Sequence, residues 1–267
     1  MRDFLLRSFR KYFTGKTRYQ VLFNLTRNLS LIGLNYGNGN SIETSGEMVL
    51  IKHLAKKYSE KRPYIIFDVG ANQGDYCKAL IENINAENLQ VWCFEPSVDT
   101  FKKLEQNHAG KSNVCLNNIG FSNQVSEMPL YTNETGAHVA SLFPLERAFG
   151  APEKLSDFEM VKISTIDDFM AENNIPYIDL LKLDIEGNEL NALLGAKKAL
   201  ESGKIKAIQF EFGSCNIDSR TYFRDFWDLL SAQYNLYREL SNGLQPITFY
   251  TEYDEVFVTT NYYAELK

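Results

Sequence analysis

From residue 64 onward, short β-rich apolar runs alternate with stretches whose apolar positions recur every three or four residues. The runs predict strands over residues 64–69, 89–95, 114–119, 178–183 and 205–212, with period-2 or continuous apolar patterning. The recurring stretches predict helices over 75–84, 98–107, 188–200 and 219–232. In the first of these, Tyr76, Ala79, Leu80 and Ile84 share one face. Two closing strands are expected at 235–240 and 255–260. Such alternation predicts a parallel sheet with helices on both faces, and right-handed crossovers fix most of its topology.

Two regions break the rhythm. Upstream, residues 3–14 suit an amphipathic helix, with Leu5, Leu6, Phe9, Tyr12 and Phe13 on one arc and Arg7, Arg10 and Lys11 on the other. It would pack on the domain, on a second subunit or on a membrane surface. Residues 35–46, rich in Gly, Asn and Ser, read as a loop, and 47–58 as a helix with Met48, Ile51, Leu54 and Ala55 on one face. Downstream, residues 121–176 hold a hairpin near 128–131, a Gly- and Pro-containing stretch over 132–156, and a strand with a short helix over 158–172. A stretch that long between sheet strands points to function. The expected organisation is a basic helical extension over 1–45 and one α/β domain over 46–267, with 121–176 covering the acceptor.

Charge sharpens this division. Residues 1–34 carry seven basic side chains and one acid, a net +6, while the remainder carries 21 basic and 33 acidic side chains, a net −12. An acidic body argues against nucleic acid, since phosphate binding needs clustered cations. The basic head suits an anionic membrane surface or an acidic partner, so residues 2–14 are a peripheral contact candidate. The four cysteines form no C-x-x-C pair, which argues against a zinc or redox motif and for a reducing, cytoplasmic setting. No apolar stretch reaches transmembrane length, and no secretory apolar core is expected at the N-terminus.

The chemistry sits at the strand ends. Asp68-Val69-Gly70-Ala71-Asn72-Gln73-Gly74 is a glycine turn between the first strand and its helix, where open sheets bind nucleotides. It lacks the dinucleotide G-x-G-x-x-G, because Asn72 occupies the second glycine position. Glu95 ends the second strand, 25 residues after Gly70, where an acid can accept hydrogen bonds from both ribose hydroxyls. Lys182, Asp184 and Glu186 alternate along the end of the fourth strand, and Glu211 ends the fifth. Such groups pair with one another or serve a ligand. Of the three histidines, His53 and His108 read as bystanders and His138 lies in the long segment that could cover a site. Asp184, Glu186, Glu211 and His138 are therefore the candidate catalytic bases. The three carboxylates also permit magnesium, although the metal-free reading is favoured.

Taken in order, the 68–74 loop, Phe94-Glu95-Pro96, Thr165-Ile166-Asp167-Asp168 and Lys182-Leu183-Asp184-Ile185-Glu186-Gly187 resemble the FkbM family of S-adenosylmethionine-dependent methyltransferases. The resemblance runs from about residue 46 to about residue 261, leaving 1–34 outside. It implies a Rossmann-like class I methyltransferase fold: a seven-stranded, mostly parallel sheet whose last strand is antiparallel. It also implies methyl transfer to oxygen, often on sugars of glycans or natural products. By position, Gly70, Asn72 and Gly74 would pack against the donor's methionine part and Glu95 would hold its ribose. Asn118 and Ile119 would lie near adenine, and Asp68 and Asp184 complete the cofactor set. The alternatives are a nucleotide-dependent oxidoreductase, disfavoured by the missing glycine, and a non-catalytic scaffold that retains cofactor binding.

Overall fold

The structure, a computed structural model, describes residues 2–38, 42–57, 62–85, 88–132, 140–144 and 157–267. Strand β1 (Tyr64–Val69) is buried along its whole length and lies between β2 (Leu89–Phe94) and β8 (Leu180–Leu183), parallel to both. Strand β3 (Val114–Asn117) flanks β2, and β9 (Ala207–Phe212) flanks β8, again in parallel. Helices α4 (Glu47–Lys57), α5 (Asp75–Asn83) and α6 (Val98–His108) accompany this half of the sheet. Two apolar clusters sandwich it. One is built on Phe67, Phe94, Leu181, Phe210 and Phe226, and the other on Leu50, Leu54, Ile66, Leu80 and Val91.

The far half carries the antiparallel strand. β12 (Thr260–Leu266) inserts between β9 and β10 (Tyr234–Leu240) and runs antiparallel to both. The seven expected strands are present, and β11 (Gly243–Ile247) adds an eighth at the edge as a hairpin with β10. The strand expected at 255–260 is a correction: it begins at Thr260. Residues 255–258 have strand-like composition, but the inserted strand must be apolar on both faces. Tyr262 and Tyr263, one buried in each cluster, meet that demand.

The predicted 188–200 helix is two, α8 (Glu189–Leu194) and α9 (Lys197–Glu201). They part at Gly195, where a Cβ would collide with the Ser122 carbonyl oxygen. The Thr165-to-Asp168 turn explains itself here. Thr165 Oγ1 accepts from Asp168 N at 3.0 Å and caps α7 (Ile166–Glu172). The Asp167 carboxylate accepts from Lys198 N and Ala199 N at 2.8 and 2.9 Å, capping α9.

Within 121–176, β5 (Ser126–Thr132) pairs antiparallel with β6 (Ala140–Ser141) and with β7 (Asp157–Ser164), which also borders β4 (Gly120–Phe121). This small second sheet has its own core of Leu130, Val161 and Ile163. Upstream of α4, helices α1 (Arg2–Tyr12), α2 (Gln20–Gly33) and the short α3 (Ile42–Ser45) precede the sheet. Residues 35–37 are tied to the rim of the main sheet. Asn35 Nδ2 donates to the Glu239 carbonyl at 3.2 Å and Gly37 N to that of Thr259 at 2.8 Å.

Candidate donor and acceptor site

The loop after β1 turns back on itself through three left-handed residues, Gly70 (φ 81°), Asn72 (φ 49°) and Gly74 (φ 92°). Asparagine tolerates that region better than other side chains, so Asn72 fits its position. Gly70 N and Ala71 N both donate to the Phe94 carbonyl at 3.0 Å, and Asp184 N donates to the Val69 carbonyl at 3.1 Å. The loop is therefore pinned between the ends of β2 and β8. A Cβ on Gly70 would collide with the Asp184 carbonyl oxygen, so only glycine permits this approach.

Glu95 is buried and occupied from two sides. Oε2 accepts from Asn72 N at 3.0 Å and Oε1 from Ser97 N at 2.9 Å. Burial pushes its carboxyl up to about 7 although both amides favour the charged form. Each oxygen has a second lone pair, so the carboxylate can still accept from a vicinal diol. Asn118 supports this wall without lining the cavity, its Nδ2 donating to the carbonyls of Glu95 and Pro96 at 2.8 and 2.9 Å. Ile119 packs on the main core, and Gly120 and Phe121 line the cavity in its neighbourhood.

One cavity gathers Gly70, Asn72, Glu95, Asp184, Ile185 and Glu186. Phe121, Leu130 and Ile163, from the small second sheet, and Leu142, just after β6, form an apolar wall. The small sheet also touches the acidic loop directly, where Ser141 Oγ donates to the Glu186 carbonyl at 2.7 Å.

The acidic loop is tightly ordered. Glu186 has φ 51°, a strained conformation for its type, and its carboxylate accepts from Cys215 Sγ at 2.9 Å. Burial, then the Asp184 charge, push its carboxyl up to about 7. Glu189 folds back to accept from Ile185 N at 2.9 Å and Gly187 N at 3.0 Å, and burial raises it to about 8. Burial and the neighbouring Asp184, Glu186 and Glu189 push Glu211 well above the usual carboxylate range. Glu211 lies on β9 and does not line the cavity.

Asp68 does not line the cavity either. It is fully buried on β1, 3.5 Å from Lys182 Nζ, which also pairs with Asp184 at 3.2 Å and lies 4.7 Å from the Tyr76 ring centre. Burial works against the Lys182 charge, but Asp184, Asp68 and Glu47 together outweigh it and hold the ammonium well above its ordinary range. Lys182 is thus the central cation of a buried network that links the loop to the acidic strand end.

His108, read from sequence as a bystander, braces the loop. Its Nε2 lies 3.0 Å from the Gly74 carbonyl, and its Nδ1 accepts from Lys111 Nζ at 3.2 Å, which makes Nε2 the donor. A Cβ on Gly74 would strike this ring. Burial, then Lys111, lower its pKa and so favour the neutral ring. A spacing of 34 residues left no local signal for this contact. His53 is exposed on α4, with its ring 6.4 Å from that of Tyr263. His138 lies outside the described residues. Among the described residues, no group of three or more His, Cys, Asp or Glu side chains is arranged to hold a metal ion.

Carboxyls raised by burial give stability a defined pH dependence. Glu47, Glu95 and Glu186 rise to about 7 and Glu189 to about 8, from an ordinary value of 4.5. The folded state thus binds more protons than the unfolded state between these values. The ligand-free protein should lose stability as pH rises from about 4.5 through about 8. Urea midpoints that rise over that interval would contradict this.

The Methyltransferase FkbM domain profile matches residues 68–238, more than half of the chain. Over 171 residues the chain is 26% identical to the hexuronic acid methyltransferase AglP of Haloferax volcanii, covering 63% of this chain and 64% of that protein. It is 22% identical over 196 residues to the 2-O-methyltransferase NoeI of Sinorhizobium fredii, covering 70% and 78%. Among solved structures, the methyltransferase FkbM of Methylobacillus flagellatus KT aligns with a TM-score of 0.47 and 17% identity, over 76% of this chain and 44% of that one. The chain thus spans less than two thirds of AglP and under half of the solved FkbM chain.

Proposed function

Because this chain belongs to the FkbM methyltransferase family, as the match over residues 68–238 establishes, we propose that it transfers a methyl group from S-adenosylmethionine to a sugar hydroxyl of a glycan or natural product. The observation that carries the reading is the single cavity shared by Gly70, Asn72 and Glu95 with Asp184 and Glu186. Its chemistry suits the donor: a buried carboxylate for a ribose diol, an apolar wall for a planar base, and acids opposite for a cationic end. The relatives named for a hexuronic acid and for a 2-O position support an oxygen of a sugar as acceptor.

When bound, the donor supplies an electrophilic methyl group on a positively charged sulfur. The residues of this chain position it and handle the proton. Glu95 accepts from the ribose hydroxyls, and Asp184, already facing Lys182, offers negative charge to the donor's cationic end. Glu186 takes the proton from the acceptor hydroxyl, because its carboxyl is tuned near neutrality and it lines the cavity. The 121–176 segment contributes an apolar wall that excludes water and covers the acceptor. In this reading the catalytic unit occupies 46–267, and 1–45 is an appended element.

Calorimetric titration with S-adenosylhomocysteine and with a nicotinamide dinucleotide tests the class: binding of the dinucleotide alone would sink the proposal. Mass spectrometry of extracts incubated with labelled donor then identifies the acceptor. Glu95→Ala should weaken S-adenosylhomocysteine binding roughly 10- to 100-fold, as expected for loss of charged hydrogen bonds. Unchanged affinity would remove Glu95 from the donor site.

A further inference from the structure

Helices α1 and α2 form a hairpin that the folded body leaves uncovered. They meet through the rings of Phe9 and Phe23, 5.9 Å apart, and the turn is closed by Phe13 on Tyr19 at 5.1 Å. No described side chain from Phe4 to Leu34 is buried. These residues supply ten of the nineteen large apolar side chains exposed among the described residues. On α2, Val21, Leu22, Leu25, Leu29 and Ile32 fall on one arc, each more than half exposed, and Arg27 lies opposite. A continuous apolar arc of this kind does not remain in water on a soluble surface without a role.

We propose that this hairpin lies in the plane of an anionic lipid bilayer, with the α2 arc among the acyl chains. The pattern is that of interfacial helices, apolar on one side and Lys- and Arg-bearing on the other. Among the described residues no helix is long and apolar enough to cross a membrane. At 14 residues, α2 is about 21 Å long, against a hydrocarbon core of about 30 Å.

Charge selects the occupant. No acid occurs between residues 4 and 42, while the rest of the chain is strongly acidic. A symmetric pairing of two hairpins would oppose two clusters of like charge. A basic hairpin seated on the acidic body of the next copy would make a head-to-tail contact that need not close. An anionic lipid surface neutralises the cations and repels the body, so the hairpin is the docking element. Its root at residues 35–37 is tied to the ends of β10 and β12, on the rim where the strands that carry the donor cavity also end. Docking therefore holds that rim near the bilayer.

The full chain should co-sediment with vesicles of equal parts phosphatidylglycerol and phosphatidylcholine at least about tenfold more strongly than with phosphatidylcholine alone, and added salt should weaken the binding. Leu25→Glu/Leu29→Glu should reduce binding to the anionic vesicles at least about tenfold, with melting temperature and S-adenosylhomocysteine affinity unchanged. Lys16→Glu/Arg18→Glu should weaken it in the same vesicles. Absence of wild-type binding overturns the proposal, and so does equal binding by the double-leucine variant. A wild-type dimer in light scattering that the leucine variant converts to monomer, without vesicle binding, would assign the arc to a second copy instead.

Discussion

Glu186→Gln should lower kcat by roughly 100- to 10,000-fold, the range that a positioned general base contributes. Glutamine keeps an acceptor for the Cys215 Sγ–H and the same reach from a backbone at φ 51°, so the loop should hold its shape. What it loses is the ability to take a proton. The wild-type rate should fall as pH drops below about 7, because the burial-raised carboxyl then holds its proton and cannot act as base. In the variant that titration should vanish from the residual rate, while S-adenosylhomocysteine affinity stays near wild type. A kcat within about threefold of wild type would pass the role of base to Asp184 or to His138.

Lys182→Met should destabilise the protein by about 3–5 kcal/mol, the usual cost of removing one partner from a buried ion pair. Methionine fills much of the same volume, so the loss is electrostatic. Asp68, fully buried, would be left with no cation, and neither of its oxygens has a hydrogen bond to fall back on. The sign of its pH dependence follows. Burial already raises the Asp68 pKa, and without Lys182 it rises further. Stability contributed by a raised carboxyl is lost as pH rises, so the deficit should be larger at pH 8 than at pH 5. Asp68→Val added to Lys182→Met should recover most of it, since an apolar replacement of both partners leaves no orphan charge. Urea unfolding measures both variants. A single-variant loss below about 1 kcal/mol would show that Lys182 carries no such pairing.

These two expectations draw on different levels of the protein. The strand–loop–helix at residues 64–83 was legible in the sequence because its determinants are local: apolar continuity, then glycines and an asparagine able to adopt left-handed backbone. Glu95 was legible because the spacing from one strand end to the next is set by a helix of ordinary length. The parallel half of the sheet followed from the alternation of elements, and the antiparallel last strand from the family resemblance.

Other features were hidden. Helix α2 is weakly signalled locally, because Asn, Ser and Thr interleave with its apolar arc and such residues also favour turns. The closing strand starts at Thr260, later than composition predicts, because residues 255–260 also have strand composition. Only pairing with both β9 and β10 selects Tyr262 and Tyr263 as the doubly buried positions. Asn118 and Ile119 follow β3, and side-chain direction makes one a brace for Glu95 and the other part of the core.

By itself the sequence determined the order of elements, the glycine loop and the acids at the strand ends, because each is written in neighbouring residues. Tertiary structure alone decided that Lys182 pairs with Asp68 across 114 positions, that His108 holds Gly74, and that Leu130 and Ile163 wall the cavity beside Glu95. The physical reason is range. Turn and strand preferences act over a few residues, whereas burial and pairing, which set the charge of every group in this site, depend on which distant segments the fold brings into contact.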